Sequence, residues 1–124
     1  MRAYIFSAII AAPIILSGCV APPKYTWGNY DRSLYSYYKD PTKSQEHMAE
    51  IQSIIQAAEK TQAKVAPGIY AEYGYLLMQA GKTDDALSMF KKEKENWPES
   101  IQFMDSMVKI AGNSPSSKPQ ASKE

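Results

Sequence analysis

Cysteine, histidine and any surplus of charge are what this sequence has least of. One cysteine, Cys19, stands among 124 residues, so no internal disulfide can staple the fold. One histidine, His47, has no second imidazole to share a metal, and a structural zinc site needs about four such ligands. Lysine and arginine number 14 against 13 aspartate and glutamate, a balance that gives no sign of a nucleic-acid partner. No apolar run reaches the ~20 residues that a bilayer-spanning helix requires. No serine or cysteine nucleophile stands in a motif with a recognisable base. The acid pair Asp84-Asp85 falls in the first turn of a predicted helix, where the dipole accounts for it. These absences predict a protein that is not an enzyme and uses no cofactor and no metal.

What is present begins with an address. Met1-Arg2 supplies a short positive start, and Ala3 to Leu16 is uncharged and mostly apolar, the h-region of a secretory signal. Leu16-Ser17-Gly18-Cys19 follows directly and resembles the bacterial lipobox, in which small residues admit the processing peptidase. The resemblance implies that residues 1–18 are removed and that Cys19 becomes a lipidated first residue, with a diacylglyceryl group on its thiol and a palmitate-type chain on its new amino terminus. Each buried CH₂ contributes about 0.8 kcal/mol, so several chains hold a protein on a membrane essentially permanently. Val20 stands where enterobacterial lipoproteins retained at the inner membrane carry aspartate, which implies the outer membrane and a periplasm-facing domain. Removal of Arg2 from the 14 basic residues leaves 13 against 13 acids, a net charge near zero for the mature chain.

The mature chain has the length of one small domain. Pro22-Pro23 cannot be helical, and residues 19–29 read as lipidated cysteine and stalk, eleven residues spanning at most about 40 Å. A helix is expected after Asp31, with Leu34, Tyr35 and Tyr38 as its buried stripe. Asp40-Pro41 ends it, and Thr42 with Gln45 fits a capping box for the next helix. Along that second helix Met48, Ile51, Ile54, Ile55 and Ala58 share one face, opposite Glu46, Glu50, Gln52, Gln56 and Lys60. A third helix runs from Pro67-Gly68 to about Ala80 and stops at Gly81. A fourth begins at Thr83, read as its N-cap, and ends near Asn96. A fifth restarts at Pro98-Glu99-Ser100, with Ile101, Met104, Met107 and Val108 on one face, and ends before Gly112. The helical domain thus covers 30–111, and 112–124, rich in Ser, Pro, Lys and Gln, is expected to be a disordered tail.

From Pro67 to Ser100 the chain resembles a single tetratricopeptide repeat, a helix-turn-helix unit of 34 residues. Tyr70, Gly74, Leu77, Gly81, Ala86, Phe90 and Pro98 stand at the motif positions. Gly74 and Ala86 are small where antiparallel helices cross at roughly 8–10 Å, Tyr70, Leu77 and Phe90 fill the space around the crossing, and Pro98 stops the second helix. Glu93 departs from the motif, which usually has a small residue there; that part of the helix is then more exposed, or the carboxylate lies opposite Lys64 or another cation. One repeat cannot bury both its faces, so the Tyr30-to-Gln62 helix pair precedes it as a degenerate repeat and Glu99 to Ile110 caps it. The fold class is all-α, about five helices in antiparallel pairs, tetratricopeptide-repeat-like.

The aromatic stretch from Tyr25 to Tyr38 is the part with two readings, contact surface or core. Trp27, Tyr30 and Tyr37 are the candidate partner contacts, and Leu34, Tyr35 and Tyr38 the candidate core. His47, beside Glu46 and near Glu50, reads as a solvent-facing helix position, and Lys91, Lys92 and Lys94 as a solvated face near a helix C-terminus. The Trp27-Gly28-Asn29-Tyr30 opening and the Tyr37-Tyr38-Lys39-Asp40-Pro41 turn resemble a family of small uncharacterised bacterial lipoproteins encoded beside a CsgG-like lipoprotein and another small lipoprotein. That resemblance implies an envelope assembly. The expected function is a non-enzymatic adaptor, anchored to the membrane by its N-terminal lipid and docking other envelope lipoproteins such as a CsgG-like protein. The alternative is a module that binds cell-wall glycan or peptide through exposed aromatics.

Overall fold

The computed structural model describes residues 23–113. The expected signal peptide, the lipobox-like Leu16, Ser17, Gly18 and Cys19, and the expected tail beyond residue 113 lie outside the described residues. Five helices follow one another: α1 (Tyr30–Lys39), α2 (Ser44–Lys60), α3 (Ile69–Gln79), α4 (Thr83–Asn96) and α5 (Ile101–Gly112). Single 3-10 turns, Pro41–Lys43 and Pro98–Ser100, precede α2 and α5, each opened by a proline at a position where no amide donor is required. The main contacts link neighbours in sequence, α1 with α2, α2 with α3, α3 with α4 and α4 with α5. The described residues are therefore all-α, and this sequential packing is the arrangement of a tetratricopeptide-like stack.

The helix ends show why the chain turns where it does. Gly81, at φ +77°, follows α3; its amide donates to Met78 and that of Lys82 to Leu77, which satisfies two of the last carbonyls. The same pair of bonds closes α2, with Gln62 at φ +55° in the left-handed position. Two caps differ from expectation. Asp40, not a Thr42–Gln45 box, accepts from the Thr42 amide and hydroxyl, because the proline turn inserts three residues before α2 begins. Thr83 is the first helical residue of α4 and is buried, with Lys82 in the flanking position.

The core forms where α2, α3 and α4 meet. Met48, Ile51, Ile54, Ile55 and Ala58 of α2 are all buried, as their spacing predicts. At the α3–α4 crossing Gly74 lies against Phe90 and Ala86, so close that a β-carbon would stand 2.6 Å from Phe90 Cε1. Tyr70, Leu77, Ala86 and Phe90 are buried around it. Helix α5 docks through Met104, Met107 and Ala111, and a Lys94–Asp105 ion pair at 2.7 Å ties it to α4. Ile101, expected on the inward face, is 44% exposed at the start of α5, where it lines a shallow cavity with Lys91, Lys94 and Glu95 of α4.

Candidate interaction groove

On α3 and its N-cap the residues Gly68, Ala71, Glu72 and Tyr75 recur at helical spacing and line one side of an open groove. Phe103, Met104 and Met107 of α5 form the other side, and the cavity is about 450 Å³. Tyr75 is 43% and Phe103 62% exposed, large apolar surface that nothing in the described chain covers. Ile110, one turn beyond Met107, continues the strip along α5. A cavity of similar size between α2 and α4 has a mixed lining that includes Gln45, Gln52, Lys82 and Asp85. Of these two the α3–α5 groove is the apolar one, and apolar rims of this kind mark interaction sites.

Behind the groove lies a polar cluster. His47 is fully buried, which corrects the solvent-facing placement: it stands one turn before Ile51 on the inward stripe of α2. Its Nε2 donates to Glu72 Oε1 at 2.8 Å, and its Nδ1 shares a hydrogen bond with Ser33 Oγ, also at 2.8 Å. Tyr30 Oη donates to Glu72 Oε2 at 2.6 Å. Burial, then the bond to Glu72 and its charge, push the Tyr30 hydroxyl well above the usual tyrosine range. The cluster joins α1, α2 and α3 through Glu72, a residue that also lines the groove. Its hydroxyl–imidazole–carboxylate order resembles that of a nucleophile, base and acid. Ser33 lies within α1, where its amide donates to the Asn29 carbonyl and its hydroxyl to the Tyr30 carbonyl.

The aromatic stretch divides differently from the sequence reading. Tyr37 stacks on His47 with ring centroids 5.5 Å apart, and Tyr30 lies tilted against the same imidazole at 5.7 Å, so both clamp it inside the domain. Tyr35 and Tyr38, expected in the core, are 62% and 80% exposed. The face of α1 that packs is Tyr30, Ser33 and Tyr37, with Ser33 small enough to reach His47. Of the three candidate contacts only Trp27 is exposed, and it meets Tyr25 edge-on and Tyr30 at a tilt. Tyr25 in turn packs on Trp97, and the Asn29 amide donates to Glu50 Oε1 at 2.7 Å. Tyr25 and Asn29 are therefore tied to the helices.

Glu93 is buried too, which corrects the view that this part of α4 is more exposed or faces Lys64. Its Oε1 accepts from the Gly68 amide at 2.7 Å, and the amides of Tyr70 and Ala71 also face the carboxylate. It thus occupies the positive end of α3 and sets the helix that carries half the groove. Burial outweighs those amides and raises its carboxyl above the usual range. Lys64 instead sits 3.7 Å over the Trp97 ring. The basic cluster is paired: Lys91 with Glu95, Lys92 with Glu59, Lys94 with Asp105. The bond from Lys92 outweighs burial and, with a smaller contribution from the Tyr70 hydroxyl, holds the Glu59 carboxyl below its usual range.

Among the described residues no group of three or more His, Cys, Asp or Glu is placed to hold a metal ion, and no helix is long and apolar enough to cross a membrane. No curated protein and no solved structure matches the chain. Residues 24–107, from the docked aromatic segment through most of α5, match the family described as Domain of unknown function (DUF4810), and the chain belongs to that family.

Proposed function

We propose that this protein is a lipid-anchored, non-enzymatic adaptor that holds a partner protein close to the outer membrane through the α3–α5 groove. The observation that carries the reading is the apolar strip of Tyr75, Phe103, Met107 and Ile110 on a tetratricopeptide-like stack. A solenoid normally closes its end helix with a polar face, and α5 does not. The anchor is the lipobox cysteine. Because Tyr25 is docked on Trp97, residues 19–24 span at most about 20 Å, so the groove works near the membrane surface. Partners of matching reach are other envelope lipoproteins, such as the CsgG-like protein that the family resemblance implies.

Affinity purification of the lipidated protein from gently solubilised membranes tests this. Wild type is expected to bring down a stoichiometric envelope protein. Cys19→Ala, which leaves the domain off the membrane, and Tyr75→Ser with Phe103→Ser, which empties the groove of its rim, are each expected to lose it. Recovery of the same partner by the groove variant would reject the groove; recovery of free monomer alone from wild type would reject the adaptor.

A further inference from the structure

The first helix of the stack carries an uncovered aromatic face. Tyr30, Ser33 and Tyr37 take the packed side of α1, and Tyr35 and Tyr38 fall on its outer side, 62% and 80% exposed. With Asp31 and Leu34 they line a shallow open cavity of about 340 Å³. Next to them around the helix come Arg32 and Lys39, both exposed, and the Lys39 ammonium lies 5.5 Å from the centre of the Tyr35 ring. Tyrosine, a flat apolar body with a polar tip, flanked by long basic side chains is the composition of a helix that rests between water and lipid.

The route of the chain says which surface covers this face. Tyr25 packs on Trp27 at 6.4 Å and Trp27 on Tyr30 at 5.6 Å, so the segment that leads from Cys19 meets the domain beside the start of α1. Residues 19–24 span at most about 20 Å, less than the ~30 Å width of a small domain, so a lipidated Cys19 keeps one side of the domain at the lipid. In the sequential stack α1 is first, and α5, with Phe103 and Ile110, is last. We infer that the outer face of α1 lies on the phospholipid surface, with Tyr35 and Tyr38 among the headgroups and Arg32 and Lys39 directed to their phosphates. Asp31 then meets the ammonium of a zwitterionic headgroup. The inference rests on the reading of Cys19 as a lipid anchor and adds which side of the domain the membrane takes, a side that leaves the α3–α5 groove open to a partner.

The sole cysteine gives a direct test. The full mature chain is coupled through Cys19 to a maleimide lipid in vesicles of phosphatidylethanolamine and phosphatidylglycerol, with a photoreactive benzophenone side chain in place of Tyr35, Tyr38 or Ile110. Lipid adducts are expected at positions 35 and 38 several-fold above position 110, and the preference is expected to persist when a flexible linker of about 20 residues is inserted before Pro23. With that linker, Arg32→Gln and Lys39→Gln are each expected to lower the adducts at position 38 about fivefold, the scale of one basic residue at an anionic surface. Equal adducts at the three positions, or most at 110, would overturn the inference. A preference lost with the longer linker would assign the contact to the tether alone, and crosslinks between copies of the chain in place of lipid would assign the face to self-association; either overturns it. The chemical coupling bypasses processing in the cell, so the anchor is read separately: an unmodified Cys19 in cells, seen by mass spectrometry, would reject the anchor and this placement with it, even where the vesicles show the preference.

Discussion

Gly74→Ala is the sharpest probe of the α3–α5 scaffold, because two known effects oppose each other at one atom. In an open helix the change would stabilise the fold by about 1 kcal/mol, through helix propensity and a less flexible unfolded chain. Here the added carbon stands 2.6 Å from Phe90 Cε1, 2.8 Å from Cδ1 and 3.2 Å from the Ala86 carbonyl oxygen. Carbon atoms in ordinary contact are about 3.5–4.0 Å apart, so ring and helix must separate by about 1 Å. Phe90 is fully buried and has no solvent side to yield towards. Overpacking of this kind costs about 1–3 kcal/mol, and a clash with an aromatic ring belongs at the upper end. After the propensity gain, the net loss is about 1–2 kcal/mol, a fall in Tm of about 5–15 °C for a domain of this size. Thermal and urea unfolding followed by circular dichroism measure it. Gly112→Ala, where a β-carbon meets nothing within 4 Å, is the control and should be neutral or slightly stabilising. Adding Phe90→Leu should relieve part of the clash, so that the double variant loses less than the two singles together. A rise in Tm for Gly74→Ala matching that of Gly112→Ala would refute the reasoning.

Three further outcomes follow from the buried polar groups and the exposed rim. His47→Ala removes the side chain clamped by Tyr30 and Tyr37 and strands Ser33 and Glu72, and urea unfolding should register a loss of about 2–4 kcal/mol; a loss below half a kcal/mol would mean that the cluster holds nothing. Glu93 binds its proton more tightly in the folded state than in the unfolded chain, so its contribution is fullest below the ordinary value of 4.5 and declines as pH rises through the window above it. Wild-type stability minus that of Glu93→Gln should therefore fall across that window, and a difference that rises with pH would show that the amides at the start of α3, not burial, dominate. Phe103→Ser should change stability by no more than about 0.5 kcal/mol, since the ring is mostly exposed, while partner binding is lost; unfolding of the variant would place Phe103 in the core instead.

The α2 stripe and the Gly74–Phe90 crossing were legible because period and residue type agree there: small where axes approach, apolar at every inward turn. His47 and Glu93 were misread for one shared reason. His47 lies four residues before Ile51, and Glu93 three after Phe90, so both continue an inward stripe, but their polarity outweighed their position in the reading. Both are admitted by partners distant in sequence, Ser33 and Glu72 for the imidazole, the Gly68 amide for the carboxylate, and no local pattern announces those. The face of α1 was misassigned because tyrosine suits core and surface alike, and Ser33, a small polar residue, marks the packed side. The groove itself depends on how α5 lies against α3, elements without a shared motif. Only the apolar surplus on α5, Phe103 and Ile110 beside Met104 and Met107, could have signalled it.

The most direct test of the adaptor account is site-specific photo-crosslinking in living cells, with the reactive side chain placed at Tyr75 or Phe103 in the groove and at Ser53 on the exposed side of α2. The account predicts a discrete crosslinked envelope protein from the two groove positions and none from position 53, with the product lost when Cys19 is changed to alanine. Equal crosslinking from all three positions, or products from position 53 alone, would contradict it.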